Sequence, residues 1–159
     1  MSYGADEASD NPGLIAPPPL IYAGALATGL LANRLHPIPF LPRSLRKAAG
    51  PSLILGGLAI GLLGFREMRR AGTSPDPSKP TSAIVSDGPY RFTRNPLYVG
   101  MTLIYSGITA LANALPAALL LPGVLYLMRR GVIEREERYL ERKFGEEYTR
   151  YKEQVRRWI

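Results

Sequence analysis

The chain has 159 residues, no cysteine, one histidine and a formal net charge of +7 from 20 basic and 13 acidic side chains. This length suits one compact unit, and the missing cysteines exclude disulfides and thiolate chemistry. One histidine leaves no usual zinc site, so no metal is expected, and the positive charge comes with no nucleic-acid recognition motif, so no nucleic-acid partner is expected.

A mean hydropathy of -0.04 resembles that of a soluble protein. The average hides segregation. Charge-free runs cover 11–33, 48–65 and 95–128, while residues 129–159 hold ten of the basic and seven of the acidic side chains. A bilayer core about 30 Å thick needs about 20 apolar residues per helix.

In chain order, residues 1–13 carry only Asp6, Glu7 and Asp10 as charges and read as a disordered tail. Without a basic n-region, the apolar segment that follows reads as a retained span and not a signal peptide. Spans are expected at about 14–33 and 49–66. The run from Asn95 to Met128 is too long for one ordinary span. Asn113 and Pro116 break it, which predicts a hairpin of two short spans, 96–112 and 115–129. Glycines 56, 57, 61 and 64 permit close helix contact, within one chain or between two, so the oligomeric state stays open.

Loop 67–94 and tail 130–159 then share one face, rich in Arg and Lys, which should be cytoplasmic. Arg34, Arg43, Arg46 and Lys47 fall on the other face, against that rule; a reentrant or interfacial first segment would relieve the conflict. The proline-rich stretch 34–47 reads as an interfacial loop, with His36 at headgroup level. The expected fold is all-α: a polytopic transmembrane bundle of about four spans, forming one domain over 14–159. Its cytoplasmic C-terminal helical segment completes a polar pocket.

Two stretches carry the chemistry. The first is "RFTRNPLYVG", residues 91–100, with Asn95 placed to cap a helix that starts at Pro96. The free amides of that start, with Arg94, suit an anion. A cytoplasmic anchor of basic and aromatic residues accounts for the same stretch. The second is the tail, where Ile133, Leu140, Phe144, Tyr148, Tyr151 and Val155 recur on one helical face. Glu137 falls on that apolar stripe, with Glu136 beside it, and a buried acid needs a partner, Arg91, Arg94 or a ligand cation. Glu134, Glu141 and Glu147 fit a solvated face. Gly145 should bend the helix or divide it. An amphipathic membrane-surface helix with incidental acids is the alternative.

The blocks "GPYRFTRNPLYVG", "EERYLERKFGEEYTRYKEQVRRWI" and "RRAGTSPDPSKPTSAIVSDGPY" resemble the isoprenylcysteine carboxyl methyltransferase and phospholipid N-methyltransferase group. The resemblance covers about residues 66–159. The group's Arg-His-Pro-x-Tyr-x-Gly pattern stands here as Arg94, Asn95, Pro96, Leu97, Tyr98, Val99 and Gly100, with Asn95 in place of histidine. Asparagine still donates a hydrogen bond but carries no charge and takes no proton.

The resemblance implies S-adenosylmethionine as cofactor. It places Arg94, Asn95, Leu97, Tyr98 and Gly100 at the cofactor, Glu136 and Glu137 at its ammonium or ribose, and Tyr90, Tyr98 and Phe144 near adenine or sulfonium. It implies a lipophilic small-molecule or lipid substrate entering from the bilayer, with carboxyl O-methylation favoured over methylation of a phospholipid or other amine. Arg150 or Arg157 would hold an acceptor carboxylate; Glu137 would assist an amine. The site would face the cytoplasm from the cytoplasmic membrane of a prokaryote. The competing class is a non-catalytic membrane anchor or lipid-binding protein.

Overall fold

The computed structural model describes residues 11–76 and 79–159. Most of the expected N-terminal tail, and Pro77 of the proline-rich loop, lie outside the described residues. The described residues form helices and no strand: α1 (Pro18–Leu35), α2 (Arg43–Arg70), a 3₁₀ turn (Gly88–Arg91), α3 (Pro96–Ala112), α4 (Leu115–Met128), a π turn (Arg129–Ile133), α5 (Glu134–Phe144) and α6 (Glu146–Gln154).

The element starts and stops follow local chemistry. Proline occupies the first turn of α1, α3 and α4, where no backbone donor is needed. Asn113 ends α3 in the left-handed region at φ 52°, a conformation asparagine tolerates better than most residues. Its Oδ1 accepts hydrogen bonds from the Phe40 and Leu41 amides at 3.1 and 2.9 Å. That bond set ties the 36–42 connection to the α3–α4 turn. The helix α2 begins at Arg43, inside the stretch expected to be an interfacial loop. Arg46 explains the difference in part, because its Nη2 donates to the Leu111 carbonyl at the end of α3 at 2.8 Å.

Antiparallel packing of α2 on α3 is set by missing side chains. A Cβ on Gly57 would stand 2.6 Å from the Gly100 carbonyl oxygen, and one on Gly107 would stand 2.7 Å from that of Gly50. Only glycine at these crossings lets the two backbones touch. The pairing brings Gly50 to Gly107 and Gly64 to Pro96, so the end of α2 and the start of α3 lie together. On the other side α1 packs against α4. Between them sits a core of Tyr22, Tyr98, Tyr105, Val124, Met128, Val132 and Ile133. The phenols inside it are satisfied: Tyr105 donates to the Ala117 carbonyl at 2.7 Å, and Tyr22 pairs with Thr102 at 2.8 Å.

Two helical runs, Arg43–Arg70 and Leu115–Phe144, are long and apolar enough to cross a membrane by length and composition, and Pro96–Ala112 is apolar but shorter. Leu55, Leu62 and Leu119 on these helices point outward, each about two-thirds exposed (66%, 67% and 70%). An apolar exterior of this kind marks a contact surface, here one that a bilayer would cover. Gly145 sits at φ 55° and divides α5 from α6.

Candidate active site

At one end of the bundle, the α2–α3 connection, the start of α3 and the α5–α6 tail enclose a cavity of about 130 Å³. Its lining joins Arg94, Asn95, Leu97 and Tyr98 to Glu136, Glu137, Tyr148 and Tyr151. Residues more than 35 positions apart therefore share one wall.

The C-terminal segment is clasped onto the start of α3. Arg94 N donates to the Arg156 carbonyl at 2.9 Å. Asn95 Nδ2 and Thr93 Oγ1 both donate to the Arg157 carbonyl, at 2.9 and 3.2 Å. Asn95 thus occupies the N-cap position without a side-chain cap bond; its amide is used on the tail. The clasp presents the Arg157 guanidinium to Glu137, with Nε and Nη2 donating at 2.9 and 2.7 Å. That bond raises the Arg157 value above its ordinary range.

Glu137 also meets Arg94, with Nη2 to Oε1 at 3.2 Å and both side chains 8% exposed. Two cations thus serve one buried carboxylate. Arg94 has donors to spare: its Nε and Nη1 are buried with no hydrogen-bond partner among the described residues. Buried, unsatisfied guanidinium donors are costly, and a ligand anion would satisfy them. Arg91, the other partner considered for Glu137, instead pairs with Asp87 at the surface.

Glu136 is held differently. It accepts from the Tyr98 hydroxyl at 2.6 Å. It lies beyond the apolar part of the Leu115–Phe144 run, past Arg129 and Arg130. Burial pushes its carboxyl up to about 7, the Tyr98 bond opposes that shift, and the Glu137 charge adds to it. Burial also raises the phenols around it. Tyr148 is pushed up to about 12 by burial and the Glu137 charge, with the charge and side-chain contact of Arg94 drawing it back. Tyr90 and Tyr151 rise for the same first reason, burial. Tyr151 donates to the Tyr90 carbonyl at 2.8 Å and so fastens α6 to the 3₁₀ turn.

Several expected residues lie elsewhere. Gly100 serves the α2–α3 contact. Phe144 ends α5 and does not line the cavity. Arg150 is exposed on α6, with Nε directed to the Glu146 carbonyl. Glu134 lies at the surface, where its carboxylate pairs with the exposed Arg129 and Arg130, each at 3.2 Å. Glu141 pairs with Lys152.

The cavity also uses residues that motif reading passed over. Thr73, Thr81, Ile84 and Val85 of the long loop form one side. The Tyr139 hydroxyl accepts from Thr81 N at 3.1 Å and holds that loop against α5. The available signal was the apolar run Ala83–Val85 inside an otherwise polar, proline-rich loop.

Comparison with known proteins bears on this geometry. A stretch of 27 residues, 17% of this chain, is 70% identical to a protein of Haemophilus influenzae (strain ATCC 51907 / DSM 11121 / KW20 / Rd) described only as an uncharacterized protein, and covers 43% of it. The match thus spans less than half the length of that curated relative. No solved structure matches the chain. Residues 45–147 match the family described as phospholipid methyltransferase. That range takes in α2, the long loop, the start of α3 and both Glu136 and Glu137. With well over half of its length matched, the chain belongs to the phospholipid methyltransferase family, within the membrane methyltransferase group.

Proposed function

We propose that the protein is a membrane methyltransferase that uses S-adenosylmethionine and acts on a lipophilic acceptor held in the bilayer. The observation that carries this reading is Arg94, whose two unpartnered donors are buried in the same cavity as the carboxylates Glu136 and Glu137. A cation with free donors beside acids suits a ligand that bears both a carboxylate and an ammonium. The tyrosines of the cavity suit a flat ring and a sulfonium. When bound, the cofactor supplies an electrophilic methyl group.

The chain's own residues have separable tasks. Arg94, with unpartnered donors, would hold the cofactor carboxylate. Glu137, neutralised by Arg157, keeps the Arg94 guanidinium in place. Glu136, with a value near 7, attracts a cation when ionised and accepts a proton at a carboxylate oxygen. The loop 73–85 and the tyrosines exclude water, which strengthens each of these interactions.

Cation placement bears on the acceptor. A carboxylate acceptor needs its own cation, but Arg150 is exposed and Arg157 is committed to Glu137. An amine acceptor needs a group that takes its proton, and we assign that role to Glu136, which lines the cavity. We therefore put an amine-bearing lipid ahead of a carboxylic acid. In this reading the four helices α1 to α4 cross the bilayer, with the cavity on the cytoplasmic side.

The test is calorimetric titration with S-adenosylhomocysteine in mild detergent, followed by transfer of labelled methyl to ethanolamine phospholipids and to prenylcysteine-like acids. Binding in wild type that is lost in Arg94→Met supports the site. Transfer to the amine but not the acid supports the acceptor. Folded, lipid-supplied protein that binds no cofactor product would return the chain to the anchor reading.

A further inference from the structure

The N-terminal segment Pro12–Ile15 crosses the junction between α4 and α5. Its neighbours there are the π turn Arg129–Ile133 and the first turn of α5. Such π turns interrupt regular helices and are frequent at functional sites. Three contacts seat the segment. Ile15 N donates to the Gly131 carbonyl at 3.4 Å. The Ile15 side chain fills the space that a Cβ on Gly131 would need, and would collide with it. Arg135 Nη1 donates to the Gly13 carbonyl at 2.7 Å. Gly13 itself stands at φ 59°, with its amide bound to Asn11 Oδ1 at 2.9 Å. Beyond these anchors, Pro12 lines the cavity, and Leu14 packs on the core.

The segment lies outside the range matched by the family, which begins at residue 45. Nothing in the Arg94 and Glu137 machinery requires it. Yet Arg135, which holds Gly13, is the residue before Glu136, and Glu136 and Pro12 line the same cavity. A strap bound to Arg135 and wedged over Gly131 restrains the turn of α5 that carries Glu136.

We propose that Pro12–Ile15 is a positioning strap that closes one wall of the cavity and holds Glu136 toward its ligand. This rests on the methyl-transfer reading above. Because Pro12 lines the cavity, the strap also limits the bulk that the pocket admits there. Its lock is the fit of Ile15 into the hollow of Gly131, and the Arg135 bond to Gly13 is the second fastening.

The test is a pair of substitutions that exchange volume across the lock. Gly131→Ala adds the Cβ that Ile15 excludes; Ile15→Ala removes the atoms it would strike. Each variant, and the double variant, is studied as full-length protein in lipid-supplemented detergent. Three quantities are read: affinity for S-adenosylhomocysteine by calorimetry, hydrogen exchange at the Ile15 amide, and thermal unfolding. Gly131→Ala is expected to speed exchange at Ile15 and weaken binding by about fivefold or more, with recovery in the double variant. A second release, Arg135→Met with Ile15→Gly, leaves the π turn untouched and is expected to weaken binding similarly.

Binding unchanged while exchange at Ile15 speeds up overturns the strap and leaves the methyl-transfer reading standing. Slow exchange at Ile15 in every variant overturns the lock. Wild-type protein that binds no S-adenosylhomocysteine overturns the methyl-transfer reading and the strap's role in that site with it.

Discussion

Arg157 closes two hydrogen bonds on Glu137, at 2.9 and 2.7 Å, from 20 residues further along the chain. The pairing leaves Arg94 bound to the same carboxylate by one nitrogen only. Arg157→Leu should therefore turn Glu137 wholly toward Arg94 and compete with a ligand anion. The expected loss of affinity for S-adenosylhomocysteine is about tenfold, or about 1.4 kcal/mol. Glu137→Ala is the harsher change, because it leaves Arg94 buried without its counter-charge. Unfolding in detergent should show a loss of about 3 kcal/mol. Titration calorimetry and denaturant unfolding check the two outcomes.

Glu136 predicts a pH dependence of known sign. Its folded value, about 7, lies above the ordinary 4.5, so the folded state holds this proton more tightly than the unfolded state. Stability from this group is unaffected below the ordinary value. It falls as pH rises from there through the folded value, because the unfolded state then releases the proton first. Wild-type protein should melt lower at about pH 8 than at about pH 5, and Glu136→Gln should shrink that difference. An equal difference in both proteins would show that Glu136 is not the group responsible.

The glycines of α2 are not equivalent. A Cβ at Gly57 meets the Gly100 carbonyl oxygen at 2.6 Å, whereas one at Gly56 meets nothing within 4 Å. Gly57→Ala should destabilise the bundle by about 1–3 kcal/mol through overpacking at a backbone contact. Gly56→Ala should be neutral or stabilise by up to about 1 kcal/mol, since alanine loses less backbone freedom in a helix. Parallel unfolding curves decide the matter; equal effects at both sites would argue against the backbone crossing.

Asn95 is predicted to act through the tail. Its Nδ2 holds the Arg157 carbonyl at 2.9 Å, so Asn95→Ala should loosen the clasp that presents Arg157 to Glu137. Affinity for S-adenosylhomocysteine should fall by roughly the worth of that bond, about 1 kcal/mol or some fivefold. The pH profile of methyl transfer should keep its shape, because asparagine takes no proton. A displaced pH profile would assign Asn95 a part in proton transfer.

Much of this was legible along the chain. Charge-free runs and their breaks at Asn113 and Pro116 anticipated the apolar helices α3 and α4. Proline at the head of α3 marked its start, and Gly145 divided the tail, because backbone φ preferences act locally. Glu137, set on an apolar stripe, announced a need for a partner, since burial of an acid carries a cost wherever it occurs. Gly100, Phe144 and Arg150 belonged to the same motifs, but a motif records spacing and not direction. Only the packed structure sends Gly100 to α2 and leaves Arg150 in solvent.

What the sequence by itself determined was the set of helices, the segregation of charge from apolar length, and the kinds of residue near the site. Those follow from local sterics and from solvation, which each residue carries with it. The tertiary structure alone decided which charges meet. Arg157 reaches Glu137 because the tail is clasped by Thr93 and Asn95, and Arg94 meets the same carboxylate with its Nε and Nη1 left without partners among the described residues. Pairing of this kind depends on distances of a few ångströms between residues far apart in the chain, and no local property of either partner contains that distance.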